Sequence, residues 1–176
     1  MKLFISDKCL GLVESLAETY PQDRWQRCLV HFYRNIFTYV PKGKVKDVAY
    51  MLEAIHAQED RAAAQVKAGS VAEKLKRMRL AKAAEILEAG VDETLSYTYF
   101  PHEHWVKIRT NNPLERAMRE IRRRTRVVGN FPDGNSALMI VAARLRHIAG
   151  TQWGLIKYLK MERLGNAAWL QEVVGE

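Results

Sequence analysis

The sequence predicts a mostly helical α/β protein. Three observations carry that expectation. A strand–helix–strand pattern occupies the first thirty residues, apolar residues at helical spacing fill almost everything after it, and 48% apolar content over 176 residues suffices for a buried core in one structural domain. No internal repeat, low-complexity tract or flexible linker interrupts the chain.

Taken in order, residues 3–5 are a short apolar run closed by Ser6 and Asp7, the pattern of a buried strand ending in a carboxylate. A buried strand needs neighbours on both sides, so further strands are expected upstream or from a partner. Leu10, Leu12, Val13, Leu16, Ala17 and Tyr20 mark an amphipathic helix that Pro21 stops. Residues 24–29 form the second strand, with Trp25 as its apolar anchor. Helices follow over 30–40 and from Val45 to Ile55, and an Ala-rich helix over 59–68 should end at Gly69. Ser70 and Glu73 read as a capping box that opens a long helix through Glu88, with Gly90 as its stop. A short helix over 92–97 leads to an aromatic segment and His102-Glu103-His104-Trp105. The Arg-rich helix comes next, then a turn over 129–134, then terminal helices carrying Leu138, Ile140, Val141, Leu145, Ile148, Trp153, Ile156, Leu159, Trp169 and Leu170.

The net charge is +8 with a pI near 9.6, and much of the excess is local. Lys107, Arg109, Arg116, Arg119, Arg122, Arg123, Arg124 and Arg126 stand against Glu115 and Glu120 alone. Such a concentration favours a polyanionic partner, nucleic acid above all. The alternative is a solvated face paired with acidic helices. Cys9 and Cys28 are too few for a disulfide scaffold, so a reducing, cytoplasmic setting is expected. The sequence has neither a leader pattern nor an apolar run long enough to span a membrane.

Residues 109–132 hold the chemistry. Asn112 is a natural N-cap, Pro113 suits the first helical position, and Glu115 would complete a capping box. At about 100° per residue, Leu114, Met118 and Ile121 share one stripe, and Glu115, Arg119, Arg122 and Arg126 share a second beside it. One carboxylate among arginines at the edge of a buried face suits a metal-binding group that meets a phosphodiester. Asp7 and Glu115 are the carboxylate types that hold Mg²⁺, which takes few protein ligands and leaves positions for phosphate oxygens. Both residues could equally be helix caps. Cys28 and His31 are half of a zinc site, or a buried small residue and a hydrogen-bonding partner. His102 and His104 suggest a metal pair or a packed loop, and Trp105 could stack on a splayed base. The basic residues could neutralise phosphates or form salt bridges.

The segments ISDKCLGL, WQRCLVHFYRN and FPHEHWVKIRTNNPLERAMREIRRRTRVVGNFP occur in this order and together resemble the bacterial Mutator-type transposases, over nearly the whole chain. The resemblance implies a DDE transposase with an RNase H-like core. Asp7 corresponds to the family's second catalytic Asp, Glu115 to its catalytic Glu, and Cys28, His31, Asn112 and Pro113 to family signatures. Implied too are Mg²⁺ or Mn²⁺ at Asp7 and Glu115, DNA (transposon ends and target) as partner, and a homo-oligomer or a full-length transposase as associate. The implied organisation is 1–35 as the last strands of the core, 36–100 as a helical insertion, and 101–176 as the Glu-bearing basic helix with C-terminal helices. The implied place is the nucleoid-associated cytoplasm. The family's first Asp has no counterpart here, and Cys9 departs from the family's usual residue. On this reading the chain is a C-terminal part of a transposase and is not expected to cleave DNA alone. A non-catalytic DNA-binding remnant and a poorly folding decay product are the competing readings.

Overall fold

The structure, a computed structural model, describes residues 3–162. It divides into two units, one of the residues up to Thr110 together with Met161 and Glu162, and one over Asn111–Lys160. The described chain is mostly helical, with one small parallel sheet.

In the first unit, β1 (Leu3–Ser6) pairs in parallel with β2 (Arg24–Arg27), and α1 (Leu10–Thr19) connects them. The register sets Leu3 opposite Arg24 and Ser6 opposite Arg27. Two details depart from expectation. β1 is half-buried rather than buried, because among the described residues the sheet has two strands and α1 buries no residue against it. The anchor of β2 is not Trp25, which is half-buried and donates its indole N–H to Ser6 Oγ at 2.8 Å, but the fully buried Gln26.

Gln26 acts as a clasp. Its Nε2 donates to the carbonyls of Arg27 at 2.8 Å and Thr94 at 2.7 Å, and its Oε1 accepts the Tyr97 N–H at 2.8 Å. A buried amide is tolerated only when its donors and acceptor find partners, and here they do. The sheet is thereby joined to the 3-10 turns Asp92–Thr94 and Ser96–Tyr99.

A 3-10 turn at Lys42–Lys44 leads from α2 (Leu29–Phe37) into α3 (Val45–Ile55), followed by α4 (Arg61–Arg77) and α5 (Ala81–Gly90). Their inward faces make the core: Phe32 and Ile36, Val48, Leu52 and Ile55, then Leu75 and Leu87. α4 corrects the sequence reading. It runs unbroken through Gly69 and Ser70, and its N-cap is Asp60, which accepts the Ala63 N–H at 2.7 Å. Ser70 caps nothing and instead bonds back to the Val66 carbonyl. Ala64, Ala68, Val71, Ala72 and Leu75 form one buried stripe across the expected break, and burial outweighs the roughly 1 kcal/mol that a mid-helix glycine costs. Gly90 is required by packing: a Cβ there would lie 2.8 Å from Arg27 Nη1 and from the Phe32 ring.

The expected helix over 92–97 is instead the pair of 3-10 turns, and a third turn at His102–His104 precedes α6 (Trp105–Ile108). His104 and Trp105 are buried. Trp105 donates to the Phe100 carbonyl at 2.6 Å, and the His102 ring lies 4.6 Å from its own. This is the packed-loop reading, and it leaves no Trp105 face for a base.

His56 closes α3 in a polar chain that crosses the core. Tyr33 Oη lies 2.7 Å from its Nδ1, and its Nε2 lies 2.9 Å from Thr94 Oγ1, which in turn donates to the Val91 carbonyl. Burial, with the Arg109 charge in a minor part, holds the imidazole neutral and lowers its pKa from 6.5 to about 4. The unfolded chain therefore binds a proton between these values that the folded chain refuses. Stability from this group is intact above pH 6.5 and falls as the pH drops through 4, by about 3 kcal/mol in total. Urea unfolding at stepped pH should show that loss, and His56→Gln should flatten it.

In the second unit, α7 (Asn112–Val128) and α8 (Gly134–Ala149) pack side by side, and α9 (Gln152–Leu155) follows. Gly129, at φ 75°, ends α7, and Asp133 caps α8 by accepting the Ser136 N–H at 2.7 Å. The capping box expected at Asn112 and Glu115 does not form. Asn111 takes the cap position, Asn112 is already helical, and Asn111 accepts the Glu115 N–H through its backbone carbonyl at 3.1 Å. Trp169 and Leu170 lie outside the described residues. Among the described residues, no helix is long and apolar enough to cross a membrane.

Candidate nucleic-acid interface

In the first unit, the strand register brings three named residues to one end of the sheet. Asp7 follows β1 directly and is exposed, with Oδ1 accepting the Lys8 N–H at 2.8 Å. The Cys28 N–H donates to the Ser6 carbonyl at 2.8 Å, and the Leu29 N–H to the Arg109 carbonyl at 3.1 Å. Asp7, Cys28 and Arg109 thus gather at the C-terminal ends of parallel strands, where α/β sheets place their ligands. Beside them Glu93 joins Lys8 at 2.5 Å and Arg27 at 3.1 Å. Cys28 is buried, while Nδ1 of His31 is buried and has no hydrogen-bond partner among the described residues. Arg109 is half-buried and reaches the His56 carbonyl at 3.4 Å, so it serves the interior of this unit. Lys107 is exposed on α6.

In the second unit, Glu115, Arg119, Arg122, Arg123 and Arg126 line one hollow of about 410 Å³ on α7. The stripe expected from helical spacing is therefore a physical surface. Four arginines and one carboxylate line it, so the hollow presents an excess of positive charge to an anion. Arg124 is exposed outside it.

A second hollow, of about 570 Å³, lies between α7, α8 and α9. There the Arg116 guanidinium sits 4.4 Å over the Trp153 ring. Glu120 is bonded by Arg144 and by Arg123, the latter at 3.2 Å. Hydrogen bonding from Arg144 holds the Glu120 carboxyl below its ordinary range, so it stays charged and neutralised in place. Gly154 lets α9 reach α8: a Cβ there would lie 2.5 Å from the Ile148 carbonyl. Arg116 and Arg123 are thus partly engaged within their own unit.

Sequence reading missed the Glu120–Arg144 pair, the Arg116–Trp153 stack, the Gln26 clasp and the His56 chain. Gln26 alone carried a signal, as an amide in an otherwise strand-like run.

The family model for transposases of the Mutator family matches residues 1–153. The chain is 38% identical over 143 residues to the transposase for insertion sequence element IS1081 of Mycobacterium tuberculosis, covering 81% of this chain and 34% of that protein. It is 33% identical over 143 residues to the transposase for insertion sequence element ISRM5 of Rhizobium meliloti, covering 81% and 36%. It is 32% identical over 145 residues to the transposase for insertion sequence element IS256 in transposon Tn4001 of Staphylococcus aureus, covering 82% and 37%. The chain spans about a third of the length of these relatives. With the arginine-lined carboxylate of α7 on one unit and the strand-end aspartate on the other, this likeness gives the conclusion: the chain belongs to the Mutator family of transposases.

Proposed function

We propose that the chain contributes Asp7 and Glu115 to a DDE-type DNA transposition centre on an RNase H-like core. Residues 1–35 would supply core strands, 36–100 a helical insertion, and 101–176 the Glu-bearing basic helix. The observation that carries this reading is the hollow in which Glu115 stands among Arg119, Arg122, Arg123 and Arg126. Arginines there would hold the phosphate backbone while the carboxylate faces the scissile linkage. Carboxylate oxygens are the hard donors that Mg²⁺ or Mn²⁺ prefers. Asp7 and Glu115 are the ligands the proposal assigns, on their correspondence to the family's carboxylates; among the described residues no group of three or more His, Cys, Asp and Glu side chains is gathered. When bound, the metal would supply Lewis-acid activation of the phosphodiester and of its attacking oxygen. The chain's own part is to fix the two carboxylates and to neutralise phosphate charge.

The test is a chimera in which this chain replaces the matching segment of the Mycobacterium tuberculosis relative, scored by excision of that relative's element in cells. Excision that requires both Asp7 and Glu115 supports the proposal. Excision that survives loss of either removes that residue from it. Residues 1–176 alone, offering two of three carboxylates, are expected to leave element-end DNA uncut.

A second reading, a non-catalytic DNA-binding protein that assembles with a full-length transposase, draws on the excess of arginine over carboxylate in α7. Both readings need the arginines. Replacing Arg122, Arg123 and Arg124 with Gln should flatten the salt dependence of duplex binding by about two to three units of slope and weaken binding at least tenfold. Fluorescence anisotropy across a salt series measures it.

A further inference from the structure

The first unit has a second strongly basic surface, remote in sequence from α7. Lys42, Lys44 and Lys46 surround the start of α3, with no carboxylate from Thr38 through Lys46. Lys74, Lys76, Arg77, Arg79 and Lys82 surround the junction of α4 and α5, with no carboxylate between Glu73 and Glu85. The structure brings these stretches together, since Lys44 Nζ donates to the carbonyl of Met78, the C-cap of α4, at 3.5 Å. Asp47, in the first turn of α3, is the one acid beside Lys46, while the acids flanking the α4–α5 junction are already engaged. Lys76 binds Glu73 at 3.2 Å and Glu88 at 2.8 Å, and Lys82 binds Glu85 at 2.9 Å. Lys42, Lys44, Lys46, Arg77 and Arg79 are exposed, and form no ion pair among the described residues.

One cation near a helix C-terminus is explained by the macrodipole, which amounts to roughly half a charge. Five are not. A further observation concerns the backbone. α4 ends in a Schellman motif, with the Leu80 N–H bonded to the Leu75 carbonyl at 2.9 Å and the Arg79 N–H to the Lys76 carbonyl at 3.0 Å. The residue that must turn left-handed there is Arg79, at φ 62°, the one non-glycine residue with positive φ among those described. Glycine fills this position most easily, so an arginine is held there against its backbone preference.

We propose that Lys42, Lys44, Lys46, Arg77 and Arg79 form a second phosphate-contacting surface for duplex DNA, separate from the arginines of α7. The inference rests on the reading that the chain handles DNA, and it extends the contact to the helical segment. The surface offers three lysine point charges on flexible stems and two arginine forks, groups that suit phosphate oxygens, and the contact assigned to it is with the backbone.

The test is anisotropy of a labelled duplex of arbitrary sequence across a salt series, using the whole chain. The double variant Lys44→Gln with Arg79→Gly should lower the salt slope by about two and weaken binding about tenfold. Arg79→Gly alone should keep or raise the melting temperature while lowering the slope by about one, a combination that loss of folding cannot produce. A control double variant, Arg61→Gln with Lys67→Gln, removes the same charge from the same unit and should leave the slope unchanged. Equal slopes for the two double variants, or an unchanged slope in the first, overturn the inference; if the Arg122, Arg123 and Arg124 variant still loses binding, the DNA reading stands without it. If the parent chain binds no duplex, both fall. Preference for polyglutamate over DNA would assign the surface to an acidic protein and overturn the inference.

Discussion

Glu115→Gln is expected to abolish excision by the chimera, by roughly a thousandfold or more, while leaving duplex binding as tight as the parent's or tighter. The two effects separate because the same side chain enters two electrostatic sums. As a proposed metal ligand it contributes several kcal/mol to stabilising charge at the scissile phosphate, and several kcal/mol amounts to about three powers of ten in rate. As a negative charge in a hollow lined by Arg119, Arg122, Arg123 and Arg126, it opposes the phosphate backbone. The amide keeps the shape and the backbone hydrogen bond to Asn111, so α7 should persist. Circular dichroism fixes that point, and anisotropy gives the affinity. Excision that survives with binding unchanged would sink the catalytic assignment. Loss of both together would point to local unfolding.

Gln26→Leu should be among the most damaging single changes to the first unit, costing about 3–5 kcal/mol and on the order of 10 °C in melting temperature. Leucine matches the volume but leaves three buried backbone groups behind: the Arg27 and Thr94 carbonyls and the Tyr97 N–H. Each buried group stripped of its partner costs about 1–3 kcal/mol. Gln26→Glu should cost at least as much as Leu, since it sets a buried carboxylate against the Arg27 and Thr94 carbonyl oxygens. Calorimetry on the three chains gives the order. A leucine variant within 1 kcal/mol of the parent would mean the 3-10 turns find other partners.

Local physics made part of this structure readable. The strand–helix–strand start, α3 and the arginine stripe of α7 follow from spacing alone, because a helix or strand repeats its geometry whatever surrounds it. For the same reason, the grouping of Glu115 with Arg119, Arg122 and Arg126 was legible before any packing was known. The buried face expected of α7 does not form, since Leu114 and Met118 are exposed. The error at Ser70 and Glu73 came from weighing a capping pattern above the stripe of Ala64, Ala68, Val71, Ala72 and Leu75, whose burial depends on α3 and α5. Gln26 meets Tyr97 across 71 residues, and Glu120 meets Arg144 across 24. No periodicity predicts either pair, since each exists only once separate elements have docked.

The two-stranded sheet has a consequence for handling the protein. The Trp25 and Arg27 carbonyls of β2 accept from Ser96 Oγ at 2.6 Å and Gln26 Nε2 at 2.8 Å, whereas among the described residues β1 has a partner on one side only, so its outer row of N–H and C=O groups is unmatched. Rows of this kind recruit strands from neighbouring molecules, and β1 reads Leu-Phe-Ile-Ser with no charge to deter them. α1 adds exposed Leu10 and Leu12 beside it. Residues 1–176 on their own are therefore expected to self-associate through the β1 edge as concentration rises, and light scattering across a dilution series checks it.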